Sequence, residues 1–461
     1  MESEASPFTQ LALSPALLQA LDSLHYLQMT PIQALSLPPM LAGLDVIGQA
    51  RTGSGKTAAY GLGLLSRIDP SLQAVQALVL CPTRELADQI SKEIRRLARC
   101  LPNIKLTVLS GGISKRPQHA SLEHDPHIVV GMAGRVLEHL QEGALKLDRL
   151  RVLVLDEADR MLDADFEEAS RAIVDHAPRT RQTLFFSATF PDAVRDLSRR
   201  LQKQPVEATV DLAMAAPEVQ QTFFEVEPTQ RLNALAHLLS AHRPTSALVF
   251  CHTRNNAQEI ANGLTQRGYS VLALHGDIDQ RERDEVLVRF TNGSCCVLVA
   301  TDVAARGLDI KDLAAVISYE LPVEADVHVH RVGRTGRAGR KGVALHLFSS
   351  RERGRFAAIE QRLGIPLSVE KLPSPFVPDR PMHATVVTLC VDGGRRDKLR
   401  PGDLLGALTG EAGIAKEAVG KINTFDTRTY VAIDQALAKL ALRRLQDGKI
   451  KGKRFRVRLI D

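Results

Sequence analysis

The sequence contains no long uninterrupted apolar run. No stretch reaches the roughly 18 apolar residues that a membrane-spanning helix requires. The first residues, from Met1 to Glu4, also do not form a basic segment followed by an apolar one. These two absences argue against a membrane-spanning or secreted protein and predict a cytoplasmic one.

Cysteine is scarce and irregularly spaced. The six cysteines stand at positions 81, 100, 251, 295, 296 and 390, mostly in apolar, strand-like runs, and none forms a Cys-x-x-Cys pair. This pattern predicts reduced, buried thiols rather than disulfides or metal ligands.

The charge of the chain is concentrated in its last part. With 461 residues the chain is too long for one hydrophobic core, and the net charge is +6. Residues 383–461 contain sixteen Lys/Arg against nine Asp/Glu, a balance of +7, which leaves −1 for the first 382 residues. A basic module on a near-neutral remainder indicates a nucleic-acid partner, because phosphate neutralisation supplies most sequence-independent affinity. A solvated basic face that favours solubility is the alternative.

Apolar strand-like runs alternate with helical patterns through most of the chain. This alternation predicts an α/β fold with parallel sheets covered by helices on both faces, and ligands at the carboxyl ends of the strands. The candidate strands are 77–81, 106–109, 127–131, 152–155 and 184–186 in a first domain (1–205), and 247–251, 271–274, 297–300, 315–319 and 343–348 in a second (221–365). Residues 206–220 and the Pro-dense residues 366–382 are predicted linkers.

The last predicted domain, residues 383–461, is a small α+β module. Its pattern predicts strands at 385–391, 419–423, 430–433 and 455–460, and helices at 401–408 and 435–445. The resulting βαββαβ order fits a ferredoxin-like or RRM-type sheet.

A glycine-rich segment between a short strand and a helix predicts a phosphate site. Backbone N–H groups and the helix dipole would there face one anion. Lys56 would reach the β- and γ-phosphates of a nucleotide, and the Thr57 hydroxyl would ligate Mg²⁺. The predicted nucleotide-binding residues are Ala50, Thr52, Gly53, Ser54, Gly55, Lys56 and Thr57, with Ala50 where a P-loop usually begins with glycine. A chance Gly/Ser turn is the alternative.

Two carboxylates end the apolar run 152–155. Asp156 can hold Mg²⁺, mostly through water, while Glu157 can orient and deprotonate the attacking water. The motif continues as Asp156-Glu157-Ala158-Asp159. Together with the P-loop, it makes the chain resemble the DEAD-box ATP-dependent RNA helicases, over motifs from Phe8 to about Gly339. The resemblance implies two tandem RecA-like domains, ATP and Mg²⁺ as cofactors, and RNA as the partner.

The same resemblance assigns the residues before the P-loop to adenine recognition. Tyr26 would stack on the base and Gln33 would read its edge, which implies ATP rather than any nucleotide. His25 stands where the family usually has glycine, so the local turn is expected to differ.

Further motifs resemble those that hold one RNA strand by its phosphates and 2′-hydroxyl groups. A departure is Met132-Ala133, where the family has Thr-Pro, and it predicts weaker RNA contact at this point. Plain structural roles remain open for Asp302 and Arg283. The residues assigned to RNA by resemblance are Thr83, Arg84, Gly112 and Arg135 in the first domain and Gly276, Thr301 and Arg306 in the second.

The remaining assignments concern hydrolysis and its coupling to unwinding. Ser187 and Thr189 resemble the motif whose hydroxyls contact the DEAD carboxylates. The second domain would supply Asp309 to the ATP ribose, His330 as a bridge to the DEAD motif, and Arg334 and Arg337 as arginine fingers. A basic helix face bound to solvent or RNA is the alternative for these arginines. The active site is then expected to form only when the two domains close.

The tail resembles the C-terminal RNA-binding domain of DbpA-type bacterial DEAD-box proteins. That resemblance implies structured 23S rRNA as the target and a role in large-subunit assembly. Separately, a monomer is expected. The predicted sheet is poor in aromatic residues, with Tyr430 as a candidate for base stacking. The basic residues assigned to RNA are Lys449, Lys451, Lys453 and Arg454. Nonspecific electrostatic tethering is the alternative.

Two functions other than a helicase stay open on the sequence alone. One is an ATP-gated RNA clamp or scaffold that does not separate strands. The other is a DNA translocase.

Overall fold

A computed structural model describes most of the chain. The chain divides into two compact units, one of Met1–Ala216 with Arg306–Asp309 and one of Pro217–Ala305 with Ile310–Asp461. Of residues 164, 165 and 411 only the backbone is described. The described ranges are 6–51, 53–112, 114–161, 164–210, 219–305, 308, 310, 313–336, 342–373, 380–411 and 413–460. Within them, no helix has both the length and the apolar character needed to cross a bilayer.

The first unit is built on a seven-stranded sheet. Its strands are β1 (Val46–Gln49), β2 (Ala77–Leu80), β3 (Leu106–Leu109), β4 (Ile128–Gly131), β5 (Val152–Asp156), β6 (Gln182–Ser187) and β7 (Val206–Thr209). They lie in the order β3-β4-β2-β5-β6-β1-β7, and every pair is parallel. Its helices are α1 (Pro15–Ser23), α2 (Pro31–Leu41), α3 (Lys56–Leu65), α4 (Arg84–Leu97), α5 (Arg116–Leu122), α6 (Ala133–Gln141), α7 (Ala164–Asp175) and α8 (Asp192–Leu201).

The strands of this sheet are buried on both faces, which explains their nearly continuous apolar sequences. In β5, Val152 and Val154 enter one hydrophobic core while Leu153 and Leu155 enter the other. Because side chains alternate along a strand, two cores on opposite faces require helices on both sides. The loops that follow the strands therefore meet at one edge, where their backbone groups are not needed for the sheet.

The second unit contains a similar parallel sheet. Its strands are β8 (Val219–Glu225), β9 (Ala247–Cys251), β10 (Val271–Leu274), β11 (Val297–Thr301), β12 (Ala315–Ser318), β13 (Gly342–Phe348) and β14 (Val369–Glu370), in the order β10-β11-β9-β12-β13-β8-β14. All the pairs are parallel. The helices are α9 (Arg231–His242), α10 (Arg254–Gln266), α11 (Gln280–Thr291), α12 (Asp302–Ala305), α13 (Ala325–Val332) and α14 (Arg353–Leu363).

A four-stranded antiparallel sheet completes the second unit. Its strands are β15 (Val386–Val391), β16 (Val419–Thr424), β17 (Thr429–Asp434) and β18 (Val457–Ile460), in the order β16-β17-β15-β18, with helices α15 (Pro401–Gly406) and α16 (Ala438–Asp447). Leu389, Val431 and Val457 lie on the sheet face that shares a core with Leu404 and Leu445 of the two helices. The predicted fold class, two parallel-sheet domains and a small α+β domain, is confirmed.

The structure differs from the sequence prediction at the predicted linkers. In residues 206–220, β7 pairs with β1, and the start of β8 pairs with β13, while residues 211–218 lie outside the described ranges. In the Pro-dense passage, β14 pairs with β8, and Met382 is buried in the core of the second sheet. Short edge strands carry little apolar pattern of their own, so their neighbours in the sheet decide their structure. All six cysteines are free thiols and five are buried, as predicted.

Candidate nucleotide and RNA sites

The chemical motifs of the first unit gather at the carboxyl edge of its sheet. The P-loop follows β1, the Thr83-Arg84 turn follows β2, and the DEAD carboxylates follow β5. Because these strands are parallel neighbours, their ends lie side by side. Ala50 at the end of β1 donates its N–H to the Ser187 carbonyl at the end of β6, 3.1 Å away, which ties two of the motifs together directly.

The end of the P-loop leads into the first turn of α3. Gly53 and Gly55 have φ values of 85° and 95°, which are left-handed conformations that favour glycine. Lys56 is buried, and its Nζ donates to the Ala50 carbonyl at 2.6 Å across the loop. Burial lowers the pKa of the Lys56 ammonium, whereas Asp156, Asp159 and Glu157 act in the opposite direction. The lysine is therefore poised inside the loop, close to the acidic motif.

Gln33 contacts the P-loop through Gly55. Its Nε2 donates to the Gly55 carbonyl at 3.2 Å, while its Oε1 accepts from the Thr30 N–H at 2.8 Å at the start of α2. A β-carbon on Gly55 would lie 2.6 Å from Gln33 Nε2, so this approach requires glycine. The amide that is predicted to read adenine is thus held against the phosphate loop.

Tyr26 follows α1 at a left-handed turn. His25 has φ of 57°, and the N–H groups of His25 and Tyr26 donate to the carbonyls of Asp22 and Leu21, which is the hydrogen bonding of a Schellman cap. The turn in which the family usually has glycine is therefore formed here by a histidine in the conformation that glycine favours. The Tyr26 hydroxyl donates to Glu93 Oε1 on α4 at 2.8 Å, which positions the ring.

Asp156 ends β5 in a buried setting. Burial raises the pKa of Asp156 to about 6, while the Lys56 ammonium acts in the opposite direction. The hydroxyl of Tyr60 donates to Asp156 Oδ2 at 2.7 Å, and the Glu157 N–H donates to Oδ1 at 3.0 Å. Burial also raises the pKa of Tyr60 well above its usual value, so the phenol stays protonated and donates.

Glu157 has a strained backbone and an unsatisfied carboxylate oxygen. Its φ of 55° and ψ of 46° are left-handed values that cost a residue with a side chain roughly 1–2 kcal/mol. Its Oε2 is buried without a hydrogen-bond partner, although the Arg160 Nε lies 3.7 Å away. Strain of this kind concentrates at functional sites. The carboxylate is free to accept a proton from a molecule placed beside it.

The Ser-Ala-Thr segment after β6 is hydrogen-bonded to the last DEAD carboxylate. The Asp159 N–H donates to Ser187 Oγ at 3.3 Å. The hydroxyl and N–H of Thr189 donate to Asp159 Oδ2 at 2.6 and 3.2 Å. A movement of either segment would therefore be transmitted to the other.

The RNA-assigned residues of the first unit lie at turns. Thr83 caps α4, its Oγ1 accepting from the Leu86 N–H at 3.3 Å, and Arg84 follows with a buried Nη1 that has no hydrogen-bond partner. Gly112 has φ of 73°, and Arg135 forms an ion pair with Glu138 at 3.2 Å. Met132 precedes α6 without a capping side-chain hydrogen bond, as expected from the missing hydroxyl.

In the second unit, the structure assigns a packing role to Asp302. Both of its oxygens accept from Arg331, Nε at 2.8 Å and Nη2 at 2.7 Å, and Arg331 Nη1 also donates to the Glu320 carbonyl. The Arg331 side chain is 1% exposed. The pair joins α12 to α13, which carries His330 and leads to Arg334.

The other assigned residues of this unit occupy strand ends and turns. Thr301, at the end of β11, accepts the Ala304 N–H at 3.3 Å, and Gly276 follows β10 in an exposed turn. His330 is half-buried and Arg334 is buried, its carbonyl accepting from the Leu313 N–H. Four predicted residues lie outside the described ranges: Thr52, Arg306, Asp309 and Arg337.

The basic residues of the tail lie on and around a tight turn. The N–H groups of Ile450 and Lys453 each donate to the other's carbonyl, and Lys451 and Gly452 have φ of 52° and 77°. Positive φ at both central positions is typical of a type I′ turn. Lys449, Lys451, Lys453 and Arg454 are all exposed, although Lys451 Nζ also donates to the Lys398 carbonyl at 3.1 Å.

The suggestion that Tyr430 stacks on a base is wrong for this arrangement of the second unit. Tyr430 is only 2% exposed and packs with Cys390, Ile460 and Val288 of α11. Arg458 pairs with Glu285 of α11 at 3.2 Å at the same contact. The outer face of the small sheet is therefore covered by a helix of the larger domain.

The sequence did not predict two side-chain contacts at these sites. Tyr60 stands four residues after Lys56 on α3, so both face the same side of the helix, and this spacing could have indicated the contact with Asp156. Arg331 carries no comparable signal, because its role depends on where α12 and α13 meet.

The residues present fit a nucleotide with Mg²⁺. Gly53 and Gly55 have the left-handed backbone conformations that a phosphate-binding loop uses, and Lys56 provides a cation. Ser54 Oγ is buried without a hydrogen-bond partner. Thr57, at the start of α3, and the carboxylate of Asp156 are oxygen donors of the kind that Mg²⁺ prefers. When bound, ATP would supply the phosphoryl group that is transferred to water.

Comparison with known families agrees with the order of these sites. Residues 30–197 match the family described as DEAD/DEAH box helicase, and residues 230–339 match the helicase conserved C-terminal domain. Residues 388–459 match the DbpA RNA binding domain.

Two relatives span almost the whole chain. The ATP-dependent RNA helicase DbpA of Escherichia coli (strain K12) is 51% identical over 448 residues, 97% of this chain and 98% of the relative. The protein of the same name in Bacillus subtilis (strain 168) is 35% identical, over 98% of this chain and 99% of the relative. Among solved structures, S. cerevisiae Dbp5 bound to RNA and ADP BeF3 has a TM-score of 0.73 and 28% identity, over 80% of this chain and 96% of that chain.

The chain therefore belongs to the DEAD-box family of ATP-dependent RNA helicases. It is an RNA helicase with ATPase activity, and RNA is its partner. Within the family its RNA-binding domain makes it DbpA-type.

Proposed function

We propose that this helicase binds structured 23S rRNA through its C-terminal domain and remodels it during assembly of the large ribosomal subunit, as a cytoplasmic monomer. The observation that carries the proposal is the exposed basic turn at residues 449–454, on a domain of the DbpA RNA-binding family. The full-length similarity to two proteins named DbpA supports it.

Because α11 covers one face of the small sheet, we assign RNA recognition to the loops of that domain. In RRM domains bases commonly stack on aromatic residues of the sheet. Here the corresponding face carries Thr388, Cys390 and Tyr430 and is covered by α11. The exposed lysines and Arg454 lie on another part of the domain, where a folded RNA can approach by its phosphates.

The roles of the catalytic residues belong to the same proposal. Lys56 and Thr57 hold the triphosphate and Mg²⁺ together with Asp156, Glu157 accepts the proton of the attacking water, and Gln33 and Tyr26 select adenine. Arg334 and Arg337 act on the transferring phosphoryl group as arginine fingers. His330 forms a bridge to the DEAD motif, and Asp309 contacts the ribose. Thr83, Arg84, Gly112, Arg135, Gly276, Thr301 and Arg306 hold the RNA strand.

The test is ATPase stimulation by 23S rRNA compared with an unrelated RNA of equal length. Deleting residues 383–461 would uncover Val288, so point variants of the full chain are preferable. We expect Lys453→Glu with Arg454→Glu to weaken 23S rRNA stimulation, and each removed phosphate contact to reduce the salt slope by about 1. Lys416→Glu with Lys439→Glu, at two exposed lysines of the same domain, makes the same change of charge and is the matched control.

Two outcomes would contradict the proposal. One is equal stimulation of the native chain by both RNAs, which would indicate electrostatic tethering alone. The other is an unchanged response to 23S rRNA in the Lys453 and Arg454 variant.

A further inference from the structure

A histidine pair of the first unit has no part in the motifs described above. His119 on α5 and His139 on α6 meet edge to face, with ring centroids 4.7 Å apart at 75°. Glu142, directly after α6, places Oε2 at 3.0 Å from His119 Nε2 and 3.9 Å from His139 Nδ1. The three ligating atoms all lie within 4.8 Å of one another. Two imidazole nitrogens and one carboxylate oxygen thus converge.

The hydrogen bonds behind His139 determine which of its nitrogens carries the proton. Gln118 Nε2 donates to the Ser110 carbonyl at 3.1 Å, so its Oε1 is the atom that faces His139 Nε2 at 3.3 Å. Nε2 is therefore the protonated nitrogen, and the lone pair is on Nδ1.

That lone pair is left without a partner. The His139 side chain is 0% exposed, and its Nδ1 has no hydrogen-bond partner. The 3.9 Å to Glu142 Oε2 is too long for a hydrogen bond. A buried nitrogen lone pair and a carboxylate oxygen therefore face each other, an arrangement that a cation between them would satisfy.

Neighbouring charges orient the carboxylate without occupying the same oxygen. Lys115 Nζ lies 2.7 Å from Glu142 Oε1 and 2.9 Å from Glu138 Oε2. The lysine thus holds Oε1 and leaves Oε2 directed toward the histidines, while Glu138 pairs with both Lys115 and Arg135. His119 and Glu142 are 37% and 39% exposed, so an ion can enter from solvent and a water can complete its coordination.

We propose that His119, His139 and Glu142 form a binding site for a divalent transition-metal ion, with zinc as the occupant. Two imidazoles, one carboxylate and a water form a donor set that Zn²⁺ accepts in tetrahedral geometry. Mg²⁺ prefers oxygen ligands alone, so the site is chemically distinct from the one at Thr57 and Asp156. It goes beyond the proposed function and does not depend on it.

The ion would join two helices next to the RNA motifs. α5 follows the turn at Gly112, and the first turn of α6 carries Arg135. A metal bound between these helices stabilises the folded first unit, because it binds the folded state and not the separated residues.

The test uses the full-length chain without nucleotide, since ATP itself binds zinc. Co²⁺ serves as the spectroscopic probe. We expect one Co²⁺ per chain with the d–d absorption of a four-coordinate nitrogen and oxygen site, displaced by Zn²⁺ and not by excess Mg²⁺. Zinc is also expected to raise the melting temperature of the native chain.

Variants test the two histidine ligands and the residue that supports His139. We expect His119→Gln and His139→Ala to weaken Co²⁺ binding by about tenfold or more, and Gln118→Leu to weaken it by about 10- to 100-fold. His124→Gln, an exposed histidine just after α5, is the control and should bind like the native chain. Replacement of the buried His139 could disturb folding, whereas His119 is partly exposed. The His119→Gln variant is therefore the main test of metal binding at this site.

Three results would overturn the proposal. They are no saturable Co²⁺ binding by the native chain, binding by the His119→Gln variant equal to that of the native chain, and the thiolate-to-cobalt absorption that would place the ion on a cysteine.

Discussion

The hydroxyl of Thr189 donates to Asp159 Oδ2 at 2.6 Å, and so joins the segment after β6 to the acidic motif after β5. A second hydrogen bond, donated by the Asp159 N–H to Ser187 Oγ, joins the same two segments. The two segments are separated by about thirty residues of chain and held by these bonds at the edge of one sheet. Hydrogen bonds to a charged group typically contribute about 1.5–3 kcal/mol, enough to keep the two segments moving together.

Thr189→Ala tests this connection. We expect ATP hydrolysis stimulated by RNA to persist and duplex displacement to fall by about tenfold to a hundredfold, which is what the loss of such a bond predicts. Both activities are measured on the same preparation. Thr209→Ala, an exposed threonine on β7, is the control. A parallel loss of hydrolysis and displacement would show that the residue serves the chemistry rather than its coupling.

Glu157→Gln removes the proposed proton acceptor while keeping its shape. We expect ATP hydrolysis to fall by about 10²- to 10⁴-fold, the usual contribution of general-base catalysis. ATP binding should persist, so RNA should be retained in the presence of ATP as a trapped complex. Glu168→Gln, an exposed glutamate on α7, makes the same change of charge and should hydrolyse ATP normally. Undiminished hydrolysis by the Glu157 variant would remove this residue from the mechanism.

Asp156 predicts a pH dependence of nucleotide binding. Its carboxyl has a pKa of about 6 in the folded protein, above the usual value of 3.8. The ionised form is needed to hold Mg²⁺, so Mg²⁺-dependent ATP binding should weaken as the pH falls through about 6. Nucleotide affinity measured across this range checks the expectation.

Tyr60→Phe tests how far a hydrogen bond limits the rise of the Asp156 pKa. The phenol donates to Asp156 Oδ2 and so favours the ionised carboxylate. Without the hydroxyl the pKa should rise further, and the midpoint of the binding curve should move upward by about one pH unit or more. A midpoint that stays in place would show that the hydrogen bond has little influence on Asp156. Buried Phe186, against which the Tyr60 ring packs at 5.3 Å, allows Phe186→Leu to serve as a packing control.

Two buried histidines predict acid sensitivity of the second unit. Burial lowers the pKa of His328 to about 3, and that of His346 well below its usual value of 6.5. The unfolded chain therefore takes up protons that the folded chain does not. The contribution of these histidines to the free energy of unfolding is complete above about pH 6.5. It is lost as the pH falls toward about 3, by up to about 1.4 kcal/mol per pH unit for each histidine.

His328→Gln removes one of the two groups that take up a proton when the second unit unfolds in acid. The amide can still bond to Gln221, whose Oε1 lies 2.8 Å from His328 Nε2. Scanning calorimetry of the full chain at about pH 7.5 and about pH 5.5 should show a smaller drop in the second-unit transition than in the native chain. His383→Gln, an exposed histidine, should leave the native drop unchanged. An equal drop in both variants would mean that His328 does not account for the acid sensitivity.

The motif residues show how much of the site could be predicted. Lys56, Asp156 and Glu157 were predicted by residue type and spacing, because the groups that hold phosphate, metal and water occupy single short segments. Their contacts were not predicted in full. The hydroxyl that bonds to Asp156 comes from Tyr60, one turn along α3, and the partner of Asp302 is Arg331, twenty-nine residues away.

In the fold, too, local sequence did not predict the environment of Tyr430 or the pairing of the edge strands. An aromatic residue on a four-stranded sheet predicts a stacking position, but α11 covers that face. The short strands β7 and β14 have little apolar pattern and owe their structure to β1 and β8 beside them. Such elements are decided by contacts between distant parts of the chain, which local patterns do not contain.

Local runs of residues were enough to identify the family and the order of its sheets, and they predicted where a nucleotide would bind. The pairs of side chains that meet, Gln33 with Gly55, Thr189 with Asp159 and His119 with His139, became known from the folded chain. Each of these contacts joins separate elements, so it exists after the sheets have paired and the helices have packed.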